Sequence, residues 1–161
     1  MSNLLIKGWN HSTLNWDECI DIYNTVIERS KSERVGEIDN NVLLYGEDCI
    51  FDMAVARIQL PGYFSCRAHT HKKVQDAMKI LNVCDADLYF NISTRAEGFG
   101  LHHDEVDVYY WQCIGKVKII IQGNVFYLEP GDMIKIPKFV EHSVIPITPR
   151  VGISMAVRHK E

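Results

Sequence analysis

The chain has 161 residues, 47% of them hydrophobic and 24% charged, with a formal net charge of -4; that is enough for one domain with a real core and offers no general phosphate-binding surface, though a local basic groove stays compatible. No apolar run approaches the roughly 20 residues of a membrane span, and residues 1–9 have neither the basic start nor the long apolar stretch of a signal peptide. Five cysteines (Cys19, Cys49, Cys66, Cys84 and Cys113) make an odd count without a C-x-x-C pair, which argues against a disulfide framework or zinc knuckle and for a reducing, cytoplasmic setting in which each is a small buried hydrophobe.

The apolar stretch within residues 1–9 is expected to be a strand. Residues 13–30 form the clearest helix. Thr13 or Asn15 can cap it, Asp17 and Glu18 suit its first turn, and Trp16, Ile20, Tyr23 and Ile27 recur at helical spacing, predicting one packed face. Residues 42–46 and 52–60 read as strands that stop at Pro61-Gly62. A second helix is predicted over Lys72–Leu81, with Val74, Ala77, Met78 and Leu81 on one face. His69 and His71 precede it in a loop and are expected to be surface histidines.

From residue 86 onward the pattern becomes one of short β-rich runs. They are Leu88-Tyr-Phe-Asn-Ile-Ser, Val106-Asp-Val-Tyr-Tyr-Trp-Gln, Val117-Lys-Ile-Ile-Ile, Val125-Phe-Tyr-Leu, Met133-Ile-Lys-Ile-Pro and Val151-Gly-Ile-Ser-Met-Ala-Val. Turn signals at Gly115-Lys116, Gln122-Gly-Asn, Glu129-Pro-Gly-Asp and Thr148-Pro149 separate them. Many short strands at close spacing predict a mainly β, jelly-roll barrel with the N-terminal helices packed outside. The expectation is one domain over residues 1–161, with helices and accessory strands in 1–85 and the core barrel in 86–161.

The chemistry concentrates at Gly98-Phe-Gly-Leu-His-His-Asp-Glu-Val-Asp, where a loop enters a strand. Residues i and i+2 of a strand point the same way, so His102 and Asp104 can both face the barrel interior. His142, after Gly131-Asp-Met-Ile-Lys-Ile-Pro, can supply a third arm. Two histidines and one carboxylate on one face make the facial triad of non-haem Fe(II), with positions left open. The opposite register, His103-x-Glu105, is the alternative, and a binding-only barrel with surface histidines is the plain one.

Residues 90–158 resemble the JmjC-type cupin oxygenases, and among them most of all the ribosomal-protein hydroxylases. The pieces that carry the likeness are Ser93, Gly98-x-Gly100, His102-x-Asp104-x-x-Asp107-Val108, Gln112, Gly115, Leu128-x-Pro-Gly-Asp132, Ile136-Pro137, His142 and Ser154-x-x-x-Arg158. The resemblance covers somewhat under half of the chain. It implies a double-stranded β-helix (cupin) fold, Fe(II) held by His102, Asp104 and His142, and oxidation driven by 2-oxoglutarate and O₂ on an unidentified protein or small-molecule substrate. Such hydroxylases carry further segments after the barrel, whereas this sequence runs three residues past Arg158. Substrate recognition is therefore expected from residues 1–85 and the loops.

One position departs from the pattern. A lysine or arginine usually stands fifteen residues after the first histidine to pair with the distal carboxylate of 2-oxoglutarate, and here that residue is Val117. Lys116 and Lys118 flank it and alternate away from the interior if Val117 faces in. Ser93 matches a carboxylate-contacting position of the family. Arg150, eight residues beyond His142 on the last strand, is the expected replacement, since prolyl-hydroxylase-type enzymes place their arginine at about that distance. Tyr110 could complete the grip, and Lys135 is the fallback. Two further readings compete with a 2-oxoglutarate-dependent hydroxylase: a metal-dependent cupin enzyme without 2-oxoglutarate, which Val117 favours, and a non-catalytic cupin binding module.

Overall fold

The computed structural model describes residues 4–32, 44–45, 49–50, 63–93 and 100–156. In chain order the elements are β1 (Leu5–Ile6), α1 (Trp16–Ser32), β2 (Leu44–Tyr45), β3 (Cys49–Ile50), β4 (Tyr63–Arg67), α2 (Lys72–Leu81), β5 (Asp85–Asn91), β6 (Val108–Ile114), β7 (Val117–Ile121), β8 (Asn124–Leu128), β9 (Met133–Ile136), β10 (His142–Pro146) and β11 (Arg150–Ala156). Among them, a six-stranded sheet runs β1-β9-β6-β11-β5-β4 and a three-stranded sheet runs β10-β7-β8. Every pairing is antiparallel. The predicted strand over 52–60 lies outside the described residues. Three strands, β3, β4 and β10, escape the sequence reading, and the large sheet takes its edge strands β1 and β4 from the first 85 residues.

The fold is mainly β: a double-stranded β-helix barrel with the helices outside. Alternation along the strands builds it. Val108, Tyr110, Ile134 and Ile136 from the large sheet meet Val117, Ile119, Ile121 and Leu128 from the small one inside the barrel. The other face of the large sheet, with Leu88, Trp111, Cys113, Val151, Ile153 and Met155, packs on Leu14, Cys19 and Ile22 near and on α1 and on Val74 and Ala77 of α2. The large sheet is therefore covered on both faces, and its interior face is free to carry polar residues where the barrel opens.

The face that α1 buries differs from the prediction. Trp16 and Ile20 are 41% and 49% exposed, while Cys19 and Ile22 are buried and Tyr23 and Val26 pack partly against the same core. Polar contacts at the N-terminus explain this roll. Asn15 Oδ1 accepts from Glu18 N at 2.8 Å and Glu18 Oε1 accepts from Asn15 N at 3.1 Å, a reciprocal cap. Glu18 also takes Lys73 Nζ at 2.7 Å and lies 3.3 Å from His71 Nε2, which turns it towards α2 and its neighbours Cys19 and Ile22 inward. His71 is not a plain surface histidine: its Nδ1 caps α2 by accepting from Lys73 N at 3.2 Å.

Cys19, Cys66 and Cys113 are buried, as expected, but Cys84 is exposed. Burial pushes the Cys19 and Cys113 thiols up to about 12, so neither is a nucleophile.

Candidate metal centre

His102 and His142 face each other across an isolated antiparallel bridge. His102 N donates to His142 O at 3.0 Å, and His142 N donates to His102 O at 2.8 Å. Residues paired in this way carry their side chains on one face, and the two imidazole centroids stand 4.4 Å apart. Each ring is oriented by the carbonyl two residues before it. His102 Nδ1 is 2.8 Å from Gly100 O, and His142 Nδ1 is 2.9 Å from Val140 O. A carbonyl only accepts, so each Nδ1 carries the proton and each Nε2 is the atom suited to a metal.

Asp104 reaches the same place by a different route from the one predicted. Residues 103–107 are irregular, and β6 starts only at Val108, so strand alternation does not bring Asp104 to His102. Hydrogen bonds to the β9–β10 loop set this segment instead: Phe139 N donates to Asp104 O at 2.7 Å, and Lys138 N to Asp107 Oδ1 at 2.9 Å. Asp104 Oδ2 then lies 3.3 Å from His142 Nε2. One ligand atom each from His102, Asp104 and His142 falls within 4.8 Å of the others. His103 and Glu105 are exposed. The chemistry of the donor set, two oriented imidazoles and a carboxylate, fits a divalent cation with vacant positions.

The electrostatics are those of a metal site holding a proton. The hydrogen bond from His142 keeps the Asp104 carboxyl below the usual carboxylate range, against the opposing effect of burial. Burial pulls His142 down, but Asp104 and the Val140 carbonyl outweigh it and the imidazole titrates above the usual histidine value. The contribution of this pair to the stability of the metal-free chain is thus fully present between the ordinary carboxylate and histidine pKa values, and on acidification it goes as Asp104 is protonated. At the alkaline end the dependence is that of His142, and the contribution is lost as pH rises through its raised pKa. Metal affinity runs the opposite way, because the ion must displace that proton. Calorimetric titration with Mn(II) is expected to show affinity falling on acidification, from a pH above the ordinary histidine range. Proton release should be visible as a buffer-dependent heat.

The ligands open onto a cavity of about 310 Å³, whose wall includes Val108, Tyr110, Ile136, Val144 and Arg150. Arg150 is 3% exposed. It sits opposite Asn91 in the β11–β5 register, and its Nε donates to Asn91 Oδ1 at 2.6 Å. Its Nη1 donates to the Tyr110 hydroxyl at 2.9 Å, and that hydroxyl donates to Gln112 Oε1 at 2.7 Å. Tyr110 pairs with Ser154 in register and lies back along β11 to reach Arg150. Gly152 makes room for it: a Cβ there would stand 2.0 Å from the Tyr110 oxygen. Burial raises the Tyr110 pKa in spite of Arg150, so this partner is a neutral phenol.

The other expected residues fall elsewhere. Val117 is buried, and Lys116 is exposed and paired with Glu129 at 3.2 Å. Lys135 lies outside the cavity wall, over the Tyr109 ring and 3.6 Å from Asp107 Oδ2. It sits on the outer face of β9 because Ile134 and Ile136, its alternating neighbours, fill the barrel. Ser93, two residues past β5, is half-buried and is likewise not among the wall residues. Asn91, Tyr89 and Val144 went unnoticed in the sequence. A buried asparagine in the apolar run Leu88-Tyr-Phe-Asn was the available signal for the first.

The barrel is similar to that of a ribosomal oxygenase. YcfD from Escherichia coli, in complex with cobalt and 2-oxoglutarate, aligns with a TM-score of 0.66 at 17% identity, over 98% of this chain and 48% of that one. The same protein with cobalt and succinic acid gives a TM-score of 0.65, with the same identity and coverage. This chain therefore spans about half the length of YcfD, and at this identity the likeness is one of fold. No family model matches the sequence, and no curated protein matches it. No helix among the described residues is long and apolar enough to cross a membrane.

Proposed function

We propose that the chain is a 2-oxoglutarate-dependent, non-haem Fe(II) oxygenase that hydroxylates a protein side chain or a small molecule. His102, Asp104 and His142 would hold the metal. When bound, Fe(II) couples O₂ to oxidative decarboxylation of 2-oxoglutarate, so that one oxygen atom enters succinate and the other a substrate C–H bond. The chain's own groups orient the reactants and keep water out. Val108, Ile136 and Val144 give the cavity its dry wall.

Arg150 carries this reading. A guanidinium taken out of water needs a compensating charge. Its hydrogen-bond partners among the described residues are the neutral Asn91 and Tyr110, and it shares its cavity with the metal ligands. A dicarboxylate chelated at the metal end would supply the missing charge at the other. Arginine, with its planar fork, can hold a carboxylate through two hydrogen bonds.

The test is anaerobic loading with Fe(II) and 2-oxoglutarate, followed by exposure to air and an assay for succinate. Slow succinate formation is expected even without substrate. No succinate above buffer would favour the second reading, a metal-dependent enzyme that does not use 2-oxoglutarate. The apolar, buried Val117 is the observation on that side.

A further inference from the structure

Three non-glycine residues among those described have positive φ: Asn82, Gln122 and Phe139. The first two have local reasons. Asn82 is the left-handed C-cap of α2, a role asparagine tolerates. Gln122 and Gly123 form the tight turn between β7 and β8, where both central residues take positive φ.

Phe139 has no such reason. It is the third residue of a turn closed by Val140 N donating to Pro137 O at 3.3 Å, and its φ is 63°. Positive φ at that turn position calls for glycine or asparagine, and a bulky side chain there is strained. Core packing does not repay the strain, because Phe139 is 61% exposed. Its ring neighbours are His103, centroid to centroid at 6.3 Å, and Lys138 Nζ at 6.0 Å. Strain of this kind persists where function uses it.

The position supplies the use. The Phe139 N–H holds the Asp104 carbonyl, and the next carbonyl along, that of Val140, orients His142. On the other ligand-bearing segment, Leu101 is 66% exposed between Gly100 and His102, both of which line the cavity. Each segment that delivers metal ligands thus also presents one large apolar side chain to solvent.

We propose that Phe139, with Leu101, is a substrate-binding residue. Its ring packs on an apolar group of the substrate and holds the neighbouring C–H at the metal site. The inference rests on the oxygenase reading above. Aromatic rings supply much apolar contact area at low entropic cost, which makes Phe139 the stronger of the two contacts.

The test uses the full chain loaded with Mn(II) and 2-oxoglutarate. The probes are N-acetyl-phenylalanine amide and benzyl alcohol, and the readout is Mn(II)-induced broadening of probe proton resonances. Broadening is expected for the unaltered chain. Stronger broadening of the capped amino acid points to a peptide source for the apolar group, and equal broadening to a free small molecule. Phe139→Asn should cut the broadening at least tenfold and leave Mn(II) affinity unchanged. It should also raise Tm by about 2–4 °C, as relief of strain at a site that does not pack would. Leu101→Ser should give a smaller loss of broadening. Equal broadening in Phe139→Asn and the unaltered chain, absence of broadening from both, or a fall in Tm would overturn the proposal while leaving the oxygenase reading standing. A chain that binds no Mn(II) would remove that reading and the substrate contact with it.

Discussion

His142→Ala is expected to leave the protein without measurable affinity for Mn(II) or Fe(II), and His102→Ala and Asp104→Ala to do the same. Only three protein donors among the described residues converge on the site, and two are too few to hold a weakly binding divalent ion against water. Loss of His142 also takes from the Asp104 carboxylate its hydrogen-bonding imidazole. Because His142 is buried, some loss of stability accompanies the alanine. His142→Gln keeps more of the volume and should bind as little metal. His103→Ala is the control, since its imidazole is exposed, and it should bind the ion as the unaltered chain does. Calorimetric titration decides, with circular dichroism to confirm folding. Loss of binding in the His103 variant with retention in the His102 variant would mean that the ligand register is His103 and Glu105.

The parts of this site that were legible in the sequence are those that depend on local pattern. Alternation in Val117-Lys-Ile-Ile-Ile predicts a strand with Val117 inward, and β7 has that form. The helix over Lys72–Leu81 is read to the residue from its apolar spacing. What stayed hidden depends on register between distant segments. Arg150 meets Asn91 because β11 and β5 pair in one register across 59 residues, and no local signal carries that. His142 begins a strand that is visible only through its pairing with β7, since His-Ser-Val-Ile-Pro is short and ends in proline. Asp104 is the instructive case. Alternation pointed to His102 and Asp104, the pair that converges with His142, yet a backbone hydrogen bond from Phe139 in an irregular segment is what holds the aspartate there. The roll of α1 follows the same rule, being set by Glu18 meeting a second helix.

Arg150→Ala is expected to weaken 2-oxoglutarate binding about a hundredfold, or about 2.7 kcal/mol, on the scale of a lost charge-assisted pair. Metal affinity should stay, because none of the three ligands touches Arg150 through a hydrogen bond. The guanidinium is positioned by its neighbours before any ligand arrives. Asn91 holds Nε, the Tyr110 hydroxyl holds Nη1, and Gln112, which donates to the carbonyls of Ile114 and Gly115 at 2.7 Å and 2.9 Å, anchors Tyr110 in turn. Preorganisation of this kind lowers the entropic cost of binding. Arg150→Lys keeps the charge but not the fork and should lose affinity by about tenfold, between the alanine variant and the unaltered chain. Removing Arg150 takes a hydrogen bond from each of Asn91 and Tyr110, so stability is to be measured alongside. Addition of 2-oxoglutarate with Mn(II) should raise Tm for the unaltered chain and not for Arg150→Ala. Lys135→Ala is the contrasting substitution. Lys135 sits on the outer face of β9 beside Asp107, so its removal should change neither affinity. Unchanged 2-oxoglutarate affinity in Arg150→Ala would rule out the arginine as anchor, and a loss in Lys135→Ala would move the anchor to the opposite face of the strand.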